Sequence, residues 1–531
     1  MRPRADLFVV GFFLLALVSC TNPGAASGRR GEARESAQVP TWSRADLEFF
    51  LHGSMSTEFV PENVLRAFMR TYPDLFPTGD FSHLGAIPDP KFGWPIGFSK
   101  KTVSHLGDLT SIGFNCASCH VGEIAPSDGA LPVRVLGMTA QLDIETLFGV
   151  LIIASFRTAD PVNMKQFLAA YLAVNDPAAG ESAQKALAAR WQEQEQKILA
   201  AMAANPSGKM EAGLRPLRTA DLRLDASSLA SGRDLTALVS SMLNLFHNMR
   251  FALHLPDAPP PASPPNGPGR NDPWRILAYS LLGVSTEPAP VKFGIVWNEE
   301  QRTWVHDDGN TRSPIIRNLA ASLGLGAPLL EHRGVLDFSA VRRHTDLSQS
   351  IRPPRYPWTI NAEAATRGET IYRANCASCH DGAQSDNRLY SWEEIGTDPN
   401  RAKIFSPNVA DGFNKFFADL QIAGYVAPQP PALRSTGKYW SPSLEGVWAR
   451  APYLHNGSIR TVRDLLTAPA NRAKTFRRGS RVYDPEAMGY VDGGSYVLDT
   501  GTPGNSNSGH DYGTKLSSEQ KRDLIEFLKT L

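Results

Sequence analysis

The sequence has no basic stripe, no phosphate-cradling glycine loop and no apolar run long enough to cross a bilayer comfortably. Its formal net charge is only +1, with acids and bases intermixed, so nothing in it argues for a nucleic-acid partner. Cysteine is scarce as well, with five residues in 531. Glycine and proline, in contrast, number 43 and 40, which argues for a loop-rich protein rather than a plain helical bundle. The length corresponds to about three domains and is ample for a sizeable core.

The apolar run nearest the start, Leu7 to Val18, follows Arg2 and Arg4. It is short for a membrane span but suits the central region of an export signal. It ends in Leu17-Val18-Ser19-Cys20, which resembles the bacterial lipoprotein box, where the cysteine becomes the lipid-modified first residue. The alternative is an ordinary secretory signal with an incidental cysteine. Thr21 follows, so the aspartate associated with inner-membrane retention is absent. Residues 1–20 are therefore expected as a lipoprotein signal peptide and residues 21–44 as a flexible tether. The expected location is exported: periplasm, outer membrane or cell surface, with a lipid anchor at Cys20.

The other four cysteines fall into identical phrases. Asn-Cys-Ala-Ser-Cys-His occurs at 115–120 and again at 375–380. Thiols in an exported chain can form disulfides, and a bare C-x-x-C can be a redox or zinc pair. Zinc needs four ligands at structured spacing, and a redox pair needs no histidine directly after it. C-x-x-C-H has a specific reason as a covalent haem site. Two thiols add to the two vinyl groups on one porphyrin edge, and the next residue then lies under the ring as an iron ligand. Cys116 and Cys119, and Cys376 and Cys379, are thus expected to carry two covalently bound haem c groups, with His120 and His380 as proximal ligands.

The flanks of the two motifs differ. "NAEAATRGETIYRANCASCH" places Ala365, Ile371, Tyr372 and Cys376 near one helical face. The chain ends in "LSSEQKRDLIEFLKTL", where Ser517 and Gln520 offer a capping box and Leu524, Ile525, Leu528 and Leu531 form an apolar stripe. The first motif follows "KKTVSHLGDLTSIGFN", a weaker helical pattern. Residues 181–205 are rich in strong helix formers and read as a partly exposed helix, and "PDAPPPASPPNGPG" reads as a proline-rich loop. The expected fold class is mainly α, with two c-type cytochrome haem domains carrying large loop-rich insertions. The expected units are an N-terminal haem domain with a helical insertion (45–255), a Pro-rich linker (256–275), an inter-haem segment (276–360) and a C-terminal cytochrome c domain (361–531).

Motif order, "WVHDDGNTRSPIIRN" (304–318), "SPSLEGVWARAPYLHNGSIRTVRDLL" (441–466) and the C-terminal "PGNSNSGHDYGTKLSSEQKRDLIEFLKTL" resemble the di-haem bacterial cytochrome c peroxidase superfamily, closest to its rubber oxygenase-like branch. The likeness covers about half of the chain and is strongest over 361–531. It implies a distal ligand for the second haem just before the final helix. There the peroxidases carry methionine and this chain carries His510, as in the oxygenase-like branch, with Met488 as the competitor. His455 is expected to be structural or to touch a propionate.

The peroxidases also carry Trp-Asp-Gly between the haems. Here Asp307 takes the tryptophan's place, before Asp308 and Gly309. Trp304 and His306, nearby, are the catalytic candidates, and Arg317 reads as a structural or propionate partner. For the sixth position of the first iron, sequence offers Met138, Gln141 and Glu145 without choosing among them.

The functional expectation is an oxidoreductase whose first haem reacts with O2 or hydrogen peroxide while the second transfers electrons. The partner would be a small donor cytochrome if the chain is a peroxidase, or a hydrophobic polyene if it is an oxygenase. A membrane-tethered electron carrier without enzymatic activity is the alternative. If Cys20 is the anchor, Cys20→Ala moves the protein from the membrane fraction to the soluble fraction on cell fractionation; retention with lipid contradicts the anchor.

Overall fold

A computed structural model describes residues 34–35, 37–204, 218–252, 263–327, 336–381, 388–419 and 431–531. The expected signal peptide (1–20), most of the tether and residues 256–262 lie outside the described residues. The described chain is 46% helical and 12% strand, a mainly α fold. Among the described residues no helix is long and apolar enough to cross a membrane.

The far end of the expected tether is packed rather than free. Gln38 is buried and donates to the carbonyls of Leu136 and Arg352, and Trp42 Nε1 donates to Ser350 Oγ. Ser43 then starts helix α1 (Arg44–His52) by accepting from the Asp46 N–H in a full capping box. Strand β1 (Val60–Pro61) leads into α2 (Glu62–Thr71). The weakly helical stretch before the first motif forms an antiparallel hairpin instead. Its strands, β2 (Phe98–Val103) and β3 (Leu109–Phe114), pair in register, Phe98 opposite Phe114, with β1 on the far edge of β3. Gly107 at the turn and the β-branched residues at 102, 103, 110 and 112 favour that pairing over a helix.

The first motif follows immediately as a single helical turn, α3 (Cys116–His120), capped by the Asn115 side chain, which accepts from the Ala117 N–H. The chain leaves it along β4 (Val121–Ile124), paired with β5 (Val133–Leu136). Four helices then build the largest core: α4 (Ile144–Thr158), α5 (Pro161–Asn175), α6 (Gly180–Ala204) and α7 (Leu235–Ala252). Phe68, Phe167, Trp191, Ile198, Met242 and Leu245 are sealed within it. Each such side chain stabilises the fold by about 1.5–3 kcal/mol.

The described part of the expected linker is also structured. Asn266 and Arg270 are buried, β6 (Arg270–Asn271) pairs with β7 (Val291–Lys292), and α8 (Pro273–Leu282) starts with Pro at its first position. A second core gathers Trp274 and Leu277 of α8, Leu319 and Leu323 of α9 (Pro314–Gly324), and Phe405 and Phe413, the latter on α10 (Pro407–Asp419).

The second motif is carried by α11 (Ala362–Asn375), a helix where one was expected, continued after Cys376 by the short turn Ala377–His380. The C-terminal helix α12 (Ser518–Leu528) has the expected capping box of Ser517 and Gln520. It buries Leu524, Ile525 and Leu528, and crosses α11 at Gly368, where a Cβ would stand 2.0 Å from the Asp523 carbonyl oxygen. Arg367 grips the Asp523 carboxylate through two bonds of 2.8 and 2.7 Å, and Tyr372 packs on Phe527 with ring centroids 5.0 Å apart. The crossing needs glycine. Gly368→Ala is expected to destabilise the protein by about 1–3 kcal/mol through overpacking, read as a lower denaturant midpoint with unchanged slope; an unaltered midpoint contradicts the close crossing.

Candidate haem sites

The first site starts from α3. His120 Nδ1 lies 2.8 Å from the Gly294 carbonyl oxygen, so Nδ1–H donates and Nε2 is left as the lone-pair nitrogen. Burial holds this imidazole down to about 4, with Arg317 acting in the same direction, so it is neutral and suited to bind a metal. Burial also pushes the Cys116 and Cys119 thiols up to about 12, which disfavours the thiolate state that a reactive redox pair requires.

His306 belongs to the same site. It is held at a positive φ of 72°, uncommon outside glycine. Its Nδ1 meets Asn310 Oδ1 at 2.8 Å and Thr311 Oγ1 at 3.2 Å. With Nδ1–H donating to Asn310, Nε2 is the free nitrogen. Burial lowers its pKa to about 3, with contributions from Arg317, Arg401 and the nearby His120. Arg317 pairs with Glu299 and acts electrostatically on Cys116, His120 and His306 together. All four are desolvated groups, yet Cys116, His120, His306 and Arg317 retain accessible surface.

The other sequence candidates are engaged otherwise. Met138 is sealed at 0% exposure, its sulfur packed where a Cβ on Gly122 would stand 2.6 Å away. Gln141 is buried beside Tyr490. Glu145 accepts from the backbone and side-chain N–H groups of Asn266, and burial pushes it up to about 7. Trp304 lies under the Arg434 guanidinium, 3.7 Å from its ring centroid, and no described contact joins it to His120 or His306. Asp307, in the tryptophan's place, is a buried carboxyl whose pKa is raised by that burial and moderated by Arg401, Lys292 and Arg302.

At the second site His380 Nδ1 lies 2.8 Å from the Pro442 carbonyl oxygen, with Ser441 Oγ at 3.2 Å. Burial lowers the His380 pKa. The His510 ring faces it, with centroids 6.2 Å apart and planes at 44°. A metal–imidazole nitrogen distance of about 2 Å, plus about 1.1 Å to each ring centre, puts two trans imidazoles about 6–6.5 Å apart. The observed spacing fits one iron between them. Burial, then the neighbouring His380, hold His510 down to about 4. Met488 is sealed in the core at 0% exposure, while its backbone oxygen accepts from Tyr453. His455 stacks on Tyr439 and bonds its hydroxyl at 3.1 Å, which engages Nε2 and fits the expected structural role.

Sequence patterns gave no sign of a buried cationic pocket. Arg270 and Arg478 are buried; desolvation lowers Arg270 to about 10, and desolvation followed by the neighbouring Arg270 lowers Arg478 to about 9. Arg270 Nε and Nη1 and Arg478 Nε have no hydrogen-bond partner. Lys292 donates to the carbonyls of Arg450 and Pro452 and is lowered by burial to about 7. Unpaired buried guanidinium nitrogens call for an anion. The carboxylates of a porphyrin are anions of that kind. The signal was hidden because Arg270 follows a proline-rich stretch and Arg478 sits in no motif.

The geometry separates the two candidates for the second distal ligand. His510→Ala is expected to abolish the six-coordinate low-spin signal of that centre in EPR and optical spectra, while Met488→Leu leaves it in place. The reverse pattern contradicts the assignment.

A family model described as RoxA-like, cytochrome c-like, matches residues 437–477, the segment that carries the Pro442 carbonyl and His455. The chain is 27% identical over 536 residues to the uncharacterized protein y4iJ of Sinorhizobium fredii (strain NBRC 101917 / NGR234), covering 85% of this chain and 81% of that protein. It is 30% identical over 282 residues to the uncharacterized protein y4iM of the same strain, covering 44% of this chain and 63% of the relative. It is also 27% identical over 146 residues to cytochrome-c peroxidase IdrP1 of Denitromonas iodatirespirans, covering 24% of this chain and 38% of that enzyme. Together these likenesses support kinship with cytochrome c peroxidase/RoxA-like proteins, and a cytochrome c-like match of this kind implies covalently bound haem c.

Proposed function

We propose that the protein is an exported, lipid-anchored di-haem c-type oxidoreductase that reduces hydrogen peroxide or activates O2 at its first haem and exchanges electrons through its second. Cys116, Cys119 and His120 would hold one haem; Cys376, Cys379, His380 and His510 would hold the other. Arg270 and Arg478 would receive propionates. When bound, the pair supplies redox equivalents and, at an iron with a vacant position, a place for a small oxygen ligand.

The observation that carries this reading is the asymmetry between the sites. At the second, His380 and His510 stand at a spacing that would let both hold one iron, which would leave no vacancy there. At the first, no such ring pair forms among the described residues; His306 and Arg317 instead lie close enough to His120 to act on it electrostatically or be acted on by it. His306 Nε2 can accept a proton from a ligand at that site, and Asn310 keeps the ring from turning. Arg317, kept charged by Glu299 against its burial, can stabilise negative charge developing there. A polar acid–base set of this kind suits peroxide better than a polyene.

One feature favours the oxygenase as a second reading. The Trp274 ring meets His306 edge-on at 5.7 Å, with Phe405 and Phe413 behind it at 4.7 and 5.0 Å. That is an apolar wall of the type a hydrophobic chain would touch.

The second haem also suits electron exchange with a partner such as a small cytochrome. Its motif lies at the surface: Ser378 is exposed, whereas the matching Ser118 is buried.

The test is spectroscopic first. The as-isolated protein is expected to show one low-spin haem and one that responds to cyanide or peroxide. Two haems that are both low-spin and inert to added ligand would reduce the protein to an electron carrier. Peroxide with a reduced small cytochrome, and separately polyisoprene under air, then distinguish peroxidase from oxygenase. His306→Ala is expected to lower turnover by about 10²–10⁴-fold with haem content unchanged; retained turnover removes His306 from the mechanism.

A further inference from the structure

We propose that Arg472 is the positioning residue for the distal side of the second site, fixing the backbone of the loop that carries His510. The inference rests on the reading of His510 as a ligand and names what holds it in place.

A ring that is to face a metal must be held, and the two proximal histidines show one way. Each ties its Nδ1 to a backbone carbonyl, Gly294 for His120 and Pro442 for His380. His510 has no such tie: its Nδ1 is buried without a hydrogen-bond partner. Its ring meets those of His380 and the exposed Tyr512, the latter with centroids 5.3 Å apart. The place of this imidazole is therefore set by its backbone.

That backbone is not one the chain adopts unaided. Gly509 and His510 both have positive φ, 71° and 44°, and the left-handed region is disfavoured for a residue with a Cβ. Such a shape persists only where its surroundings impose it. One set of contacts comes from the turn at 395–396. His510 N–H donates to the Ile395 carbonyl at 2.9 Å, and a Cβ on Gly509 would stand 2.3 Å from the Gly396 carbonyl carbon.

The second set comes from Arg472, which is buried and gives all five of its N–H groups to backbone carbonyls. Nη1 donates to Asn507 at 2.6 Å and to Gly509 at 2.7 Å, and Nη2 donates to His510 at 3.0 Å. Nη2 also donates to Leu465, and Nε to Thr467, both at 2.9 Å. The first three carbonyls belong to the loop. The other two lie at the end of the helical turn Val462–Leu465, where Leu465 and Leu466 pack into the same core as Leu524 and Ile525 of α12. One planar guanidinium thus fastens the loop to the core.

The choice of side chain follows. Arginine carries five N–H donors fanned in one plane, which lysine cannot reproduce from a single nitrogen. Among the described residues no carboxylate bonds it; Asp511 and Asp464 act on it electrostatically, against the effect of its burial. A guanidinium with a carboxylate partner would be an ion pair. One given wholly to carbonyls, three of them at 507–510, holds a backbone shape.

The experiment uses the full matured chain. Wild type and His510→Ala are compared first by EPR. If the low-spin signal of the second centre is missing from the wild type, or survives in His510→Ala, the ligand reading fails separately from the clamp. In hydrogen exchange of the wild type, the His510 N–H is expected among the protected amides; exchange at the rate of an open loop overturns the clamp. Arg472→Lys then keeps the charge and removes the fork. It is expected to retain haem content and far-UV circular dichroism, and to exchange the 508–510 amides about tenfold faster. It is also expected to bind a further equivalent of cyanide at the second centre, seen as a new low-spin EPR signal. A merely structural arginine would lower the denaturation midpoint and leave cyanide uptake and loop exchange as in the wild type, and that result overturns the proposal. If the Lys variant does not fold, Arg472→Gln, which keeps two N–H donors on a shorter stem, decides in the same way.

Discussion

The bond between each proximal Nδ1–H and a backbone carbonyl is the constraint on which the remaining site geometry depends. A histidine following C-x-x-C can turn about two side-chain torsions, and only one orientation presents Nε2 to an iron under the ring. Gly294 and Pro442 choose that orientation, each at 2.8 Å. They lie far along the chain from the motifs they serve, so each candidate haem site is complete only once distant segments have docked. The inter-haem segment and the C-terminal domain are thereby parts of the sites themselves. Burial then keeps the imidazoles neutral, because a charged ring would have to shed its hydration; at His120 burial and Arg317 outweigh the Glu299 carboxylate, and at His380 Arg450 adds to the effect of burial.

Identical hexapeptides sit in opposite surroundings. At 115–120 the phrase is an Asn-capped turn wedged between a hairpin and the second strand pair, with Ala117 and Ser118 buried at 1% and 3% exposure. At 375–380 it ends a helix at the surface. The cysteines and histidine fix what can be attached, and the surroundings set what the attached group can do. On the proposed reading, a desolvated centre facing a histidine and an arginine would react with a small ligand. A centre at the surface with two imidazoles at ligand spacing would, on the same reading, pass electrons. The proposed division of labour follows from these environments, on one shared local chemistry.

The parts of this arrangement that were legible in the sequence are local. C-x-x-C-H names its attachment chemistry within five residues, the 3.6-residue spacing marks α11, and the Ser517–Gln520 box marks the start of α12. His510 lies in a glycine- and serine-rich loop with no pattern of its own, and only the family resemblance singled it out. What stayed hidden depends on contacts between distant positions. Arg270 follows a proline-rich stretch that reads as a connector, yet it is fully buried. Arg472 and Gly294 carry no motif at all. The hairpin before the first motif was obscured because its charged and β-branched residues alternate too irregularly for a clean period, and the pairing of Phe98 with Phe114 is a long-range choice.

The most direct measurement of the central claim is the intact mass of the purified, matured chain under denaturing conditions, where only covalent groups remain. The account predicts the mature polypeptide plus two haems, both retained after acid and organic solvent. A mass equal to the polypeptide alone, or to the polypeptide plus one haem, contradicts it.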